Sequence, residues 1–147
     1  LATYRQGLYL FARDVAEDKV KSFAVERFAR FSRLRRERFD YPAAYDPHAI
    51  VGQSFGITSG PAEEVVASFT PDQALYVRER QWHPTQRLEP LPDGGVRLRM
   101  RVSLGHELRE WLVGFGAQVR VEGPPALVAQ VRDAHRAAAA LYAEESA

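Results

Sequence analysis

The chain has 147 residues, 46% hydrophobic and 27% charged, with a formal net charge of +1. That size and balance fit one globular domain or two small ones. There is no cysteine, which excludes disulfides and thiolate metal sites, and the apolar runs are far too short to cross a bilayer; a cytoplasmic protein is the simplest expectation.

Charge is unevenly spread. Residues 1–45 carry ten Lys/Arg against six Asp/Glu, a balance of +4, and residues 46–147 carry ten against thirteen, a balance of −3. Six arginines, Arg27, Arg30, Arg33, Arg35, Arg36 and Arg38, fall within twelve residues. The first residue, Leu1, already lies in a strand-like run, and a longer protein upstream is expected.

In chain order, "LATYRQ" and "GLYLFARD" read as two short strands meeting at Gln6-Gly7, a tight turn. "VAED" is a second turn. A third strand runs to about Phe23, a short helical or bent turn follows at "VERF", and alternation of Phe31, Arg33 and Arg35 against Ser32, Leu34 and Arg36 predicts a fourth strand through "FSRLRRERF". The Pro- and Gly-rich stretch 41–61 reads as a linker. Asp46-Pro47 inside it signals a helix start, for a short helix ending near Gly56.

The second half is more regular. "EEVVASF" is a strand, and Thr70-Pro71-Asp72-Gln73 predicts a capping box with proline at the first helical position of "DQALYVRER". "QRLEPL", the turn Pro92-Asp93-Gly94-Gly95 and "VRLRMRVS" form a hairpin, with Val96, Leu98, Met100 and Val102 on one face and Arg97, Arg99 and Arg101 on the other. Leu108, Trp111, Leu112 and Phe115 give a helical stripe closed by Gly116. "AQVRVEG" is a last strand, and Pro124-Pro125 opens a helix with Leu127, Val131, Ala134, Ala138 and Leu141 inward. The order β-α-β-β-α-β plus a helix is that of a ferredoxin-like module in an α+β protein.

Chemistry-bearing patterns are few. His48, His83, His106 and His135 share no metal-ligand spacing, and a helix is expected to point His106 and Glu107 apart. There is no nucleophile elbow, phosphate-cradling glycine loop or paired acid, so the chain does not read as an enzyme and calls for no cofactor. The arginine row 97, 99, 101 is a candidate phosphate stripe; pairing with Glu64, Glu89 and Glu122 on neighbouring strands is the more ordinary expectation. Trp82 in "QWHPTQ" is expected at the edge of the core. In the first half Tyr9 points opposite to Leu8 and Leu10, with Arg5, Lys21 and Arg27 on adjoining segments. An aromatic ring for base stacking and cations for phosphate are thereby candidates for one surface, against the alternative of an ordinary strand with solvated charges.

Leu8-Tyr9-Leu10, a turn, Lys21-Ser22-Phe23 and then Glu26-Arg27-Phe28 resemble the signature of WYL-domain proteins, Trp-Tyr-Leu, a turn, Arg-Thr-Phe and an Asp-Arg-Ile-like triplet. Leu8 stands where that pattern has Trp, and Lys21 where it has Arg. "QSFGI", "VRERQWHPTQRLEPLPDGGVRLRMRV" and "WLVGFGAQVRV" look like the C-terminal extension that follows a WYL domain. The resemblance implies a bacterial transcriptional regulator with a winged helix-turn-helix first, then a barrel of the Sm or SH3 type, then the ferredoxin-like extension. It implies the C-terminal part of a WYL domain over 1–40, a linker over 41–61 and the extension over 62–147. It further implies that Tyr9, Lys21, Phe23 and Arg27, with Arg5 as an addition, line a pocket for a nucleic-acid fragment or nucleotide. DNA is expected to be read by the upstream domain, and the partner is expected to be a second copy or another WYL protein. An assembly module without a ligand is the alternative.

Overall fold

The computed structural model describes residues 1–4, 6–39, 55, 56, 58 and 60–143. The chain divides into two compact units, Leu1–His48 and Ala49–Ala147.

The first unit holds one antiparallel sheet of order β1-β2-β3, with β1 at Ala2–Tyr4, β2 at Gly7–Asp14 and β3 at Lys19–Ala24. β2 is central, pairing Thr3 with Leu8 on one side and Leu10 with Phe23 on the other. The β2–β3 turn is set by Asp14, whose Oδ1 accepts from Ala16 N at 3.0 Å, an Asx turn. A single 3-10 turn, Val25–Arg27, closes β3. The strand expected over 31–39 does not form: every residue of that segment is exposed and in no strand. Its alternation puts Phe31 beside Arg33 and Arg35 on one side and Leu34 beside Ser32 and Arg36 on the other. Neither side is apolar enough to repay burial. The helix expected near Asp46 lies outside the described residues.

The second unit is a four-stranded antiparallel sheet of order β5-β6-β4-β7. Here β4 spans Ala62–Phe69, β5 Arg87–Pro90, β6 Val96–Ser103 and β7 Val119–Gly123. Between them come α1, Pro71–Arg78, and α2, His106–Val113; α3, Pro125–Ala143, follows β7. This is the ferredoxin-like order predicted from the pattern. Period-2 alternation in β4 and β6 puts Val65, Ala67, Phe69, Val96, Leu98, Met100 and Val102 into one core, with Ala74 and Val77 of α1, Leu108 and Leu112 of α2, and Leu127 and Val131 of α3. In the hairpin turn Gly94 N bonds Leu91 O at 3.0 Å, and Gly94 holds φ +89°, which a side chain resists.

Three local expectations are corrected. Thr70 is the N-cap of α1 and Pro71 opens it, but no capping box forms. Thr70 Oγ1 donates to Gln118 Oε1 and Thr70 N to Gln118 O at 3.1 Å, so a tertiary partner outcompetes the local one. α2 ends at Val113 rather than reaching Gly116, which adopts φ +55° at the start of a 3-10 turn, Gly116–Gln118. On α3 only the first turns are seated, against β7 and α2. Ala138 and Leu141 are exposed, Leu141 at 74%, because a helix of 19 residues outruns the five-residue strand beneath it.

Candidate functional site

Tyr9, Lys21 and Phe23 are all half-buried, but the sheet does not bring them together. In an antiparallel ladder directly opposed residues share a face. Tyr9 opposes Ala24, whereas Lys21 opposes Ala12 and Phe23 opposes Leu10. Tyr9 therefore shares a face with Tyr4, Phe11 and Ser22, and Lys21 and Phe23 share the other with Leu8 and Leu10. The Tyr9 ring folds over Gly7, whose missing Cβ leaves it room: a Cβ there would lie 2.8 Å from the ring.

Lys21 is held by two carboxylates, Asp14 Oδ2 at 2.8 Å and Glu17 Oε1 at 2.5 Å. The hydrogen bond to Asp14 first, then that to Glu17, raises its pKa above the ordinary lysine value, and the same bond lowers that of Asp14. A phosphate at Lys21 has to displace these partners. Phe23 stacks with Phe28 at a ring separation of 6.5 Å. Arg27 is exposed at the end of the 3-10 turn. That turn is tied to β2 by Glu26, whose Oε1 accepts from Leu8 N at 2.8 Å, and this bond lowers the Glu26 pKa. Arg5 lies outside the described residues. The aromatic partners of Tyr9 were legible in sequence, since Tyr4 and Phe11 follow from strand alternation, but only the register shows them on one face.

In the second unit the arginine row is largely neutralised. Arg97 Nε bonds Glu122 Oε2 at 3.0 Å, and Arg99 Nε bonds Glu89 Oε1 at 2.8 Å. Glu64 is the register partner of Arg101. Ser68 Oγ donates to Glu122 Oε1 at 2.5 Å. That bond, and after it the Arg97 guanidinium, holds the Glu122 carboxyl below its ordinary value of 4.5. Because the folded-state pKa is lowered, the stabilisation is complete above the ordinary carboxylate range and is lost as pH falls through the folded-state value. The parent is accordingly expected to have a higher urea midpoint than Glu122→Gln at about pH 7, and the difference is expected to shrink as pH falls below the ordinary carboxylate range and through the folded-state value.

His106 and Glu107 are not pointed apart. Nδ1 of His106 lies 3.3 Å from Glu107 Oε2, and 3.2 Å from Thr58 Oγ1. Both residues stand in the first turn of α2, where no preceding turn separates them, and both lean toward the segment before β4. Glu107 is 3% exposed, and its Oε1 accepts from Thr58 Oγ1 at 2.9 Å and Thr58 N at 3.2 Å. Among the described residues no group of three or more His, Asp or Glu could hold a metal ion, and no helix is long and apolar enough to cross a membrane.

Trp82 is half-buried at the core edge, donating Nε1–H to Val77 O at 3.2 Å. Gln86 braces the loop around it, its Oε1 accepting from Trp82 N at 2.6 Å and its Nε2 donating to Arg80 O at 2.9 Å.

The helix-backed sheet of order β5-β6-β4-β7 defines the second unit as a ferredoxin-like module, the kind expected to accompany a WYL domain. The chain belongs to the WCX-domain family, whose description matches residues 61–139, more than half of its length. It is similar to Protein PafC of Mycobacterium tuberculosis, 39% identical over 62 residues in each of two strains, a span covering 42% of this chain and 20% of PafC. Among solved structures it is similar to proteasome accessory factor B/C (PafBC) of Arthrobacter aurescens, at 23% identity and a TM-score of 0.41, covering 85% of this chain and 19% of that one. The chain spans about one fifth of the length of these relatives.

Proposed function

We propose that this chain is the sensing and dimerisation part of a cytoplasmic bacterial transcriptional regulator of the WYL type, without catalytic activity. In this reading it governs DNA binding by a helix-turn-helix domain elsewhere in the protein. A WCX match over 61–139 that follows, later in the chain, a sheet with WYL-like segments is the observation that carries it. The identity with PafC supports it further.

The effector in this proposal is a short single-stranded nucleic acid or a nucleotide. The face carrying Tyr4, Tyr9 and Phe11 favours stacking of bases. The cations that would meet phosphate are Arg27 and Arg5; Lys21 stands on the opposite face of the sheet, held by Asp14 and Glu17. Calorimetric titration with short single-stranded DNA and with nucleotides tests this. Binding is expected, and Tyr9→Ala should weaken it by about 1–3 kcal/mol, the worth of one stacked base. Absence of heat with every oligonucleotide and nucleotide, in a folded dimer, leaves the ligand-free assembly module as the better account.

A further inference from the structure

The outer surface between α1 and α2 carries a cleft of about 440 Å³ lined by Gln73, Tyr76, Glu110, Trp111, Gly114 and Phe115. Its volume lies within the range of small-molecule sites. Three rings meet there at steep angles. Trp111 and Phe115 are 5.2 Å apart and nearly perpendicular, and Tyr76 stands 6.2 Å from Phe115 at 64°. Trp111 packs at the same time against Phe55 and Trp82, at 4.8 Å each, so the cleft is floored by a cluster of aromatic side chains, whose π electrons attract positive charge.

Two further observations give the sign of that occupant. Arg80, in the loop after α1, places its guanidinium carbon 3.9 Å over the centre of the Tyr76 ring, so this ring already holds a cation. The Glu110 carboxylate lines the same cleft, and among the described residues it forms no ion pair or side-chain hydrogen bond. An acid without an ion pair beside three aromatic side chains suits an alkylated ammonium or guanidinium group, not an anion or an uncharged hydrocarbon.

We propose that the α1–α2 cleft of the WCX module is a binding site for a small organic cation, with Tyr76, Trp111 and Phe115 as the aromatic walls and Glu110 as the counter-charge. The site is separate from the stacking face proposed for the first unit and does not depend on it.

The test is a titration of the whole chain with tetramethylammonium chloride, followed by the indole N–H resonances of Trp111 and Trp82. Neopentyl alcohol serves as the neutral isostere, and sodium chloride matches ionic strength. The expected result is a saturable shift of Trp111 with the cation, at least about threefold tighter than with the alcohol. Glu110→Gln should weaken it by about two- to fivefold, and Tyr76→Leu by more, whereas Tyr76→Phe, which keeps the ring, should retain it. Arg80→Ala should tighten it, because it removes a competing positive charge. Equal binding of the alcohol, no saturable shift of Trp111, or weaker cation binding in Arg80→Ala overturns the proposal. Glu110→Gln and Arg80→Ala change exposed side chains, so they report on the site in a folded protein.

Discussion

Phe69→Ala is expected to remove about 3–5 kcal/mol from the stability of the WCX module. Phe69 ends β4, an interior strand of the sheet, and is 1% exposed. Its ring meets Phe115 edge-on at 4.9 Å and Trp111 at 5.9 Å, so truncation leaves a cavity beneath two large aromatic groups, Trp111 on α2 and Phe115 just past its end. A loss of this size is a large part of the total stability of a small domain. Urea unfolding followed by tryptophan fluorescence measures it. A loss below about 1 kcal/mol would mean that the aromatic cluster collapses freely into the space, and that Phe69 does not anchor α2.

Glu107→Ala is expected to cost about 1–3 kcal/mol, the range for leaving buried polar partners unsatisfied. Its carboxylate is the acceptor for both the N–H and the hydroxyl of Thr58. The neighbouring backbone comes in close enough that a Cβ on Gly56 would lie 2.8 Å from Glu107 Cγ. Glutamine keeps one acceptor oxygen and should lose less. The local consequence is sharper than the global one. Amide exchange at Thr58 should accelerate strongly in Glu107→Ala, while exchange at Leu98 in the middle of β6 follows overall stability alone. If Thr58 stays as protected as in the parent, the segment before β4 is held by other contacts.

Why the second unit was so readable in sequence is plain from β6. Val96, Leu98, Met100 and Val102 alternate with three arginines, and one buried face with one charged face leaves a single register. The capping box at Thr70 does not form, for the opposite reason. Its local partner Gln73 lies three residues away, and the partner that won, Gln118, lies 48 residues away, beyond anything spacing reveals. Adjacency on a helix separates two side chains only where helical turns flank the pair on both sides, and His106 and Glu107 stand in the first turn of α2. In the first unit, "FSRLRRERF" has the alternation of a strand but no apolar side, and alternation alone does not bury anything. Tyr9 stands opposite Leu8 and Leu10, as strand alternation predicts. That Lys21 belongs to the Leu10 side depends on the pairing of Ala12 with Lys21, which turn length decides and residue type does not.

The short border strand β5 has a consequence for assembly in crowded solution. It has only four residues and ends in Pro90, whose nitrogen carries no hydrogen. Another chain's strand finds little there to zip onto, so fibre-like growth outward from this margin is disfavoured. Copies of the module that meet along β5 are accordingly steered to join through side chains, so contact at this margin is set by shape and charge.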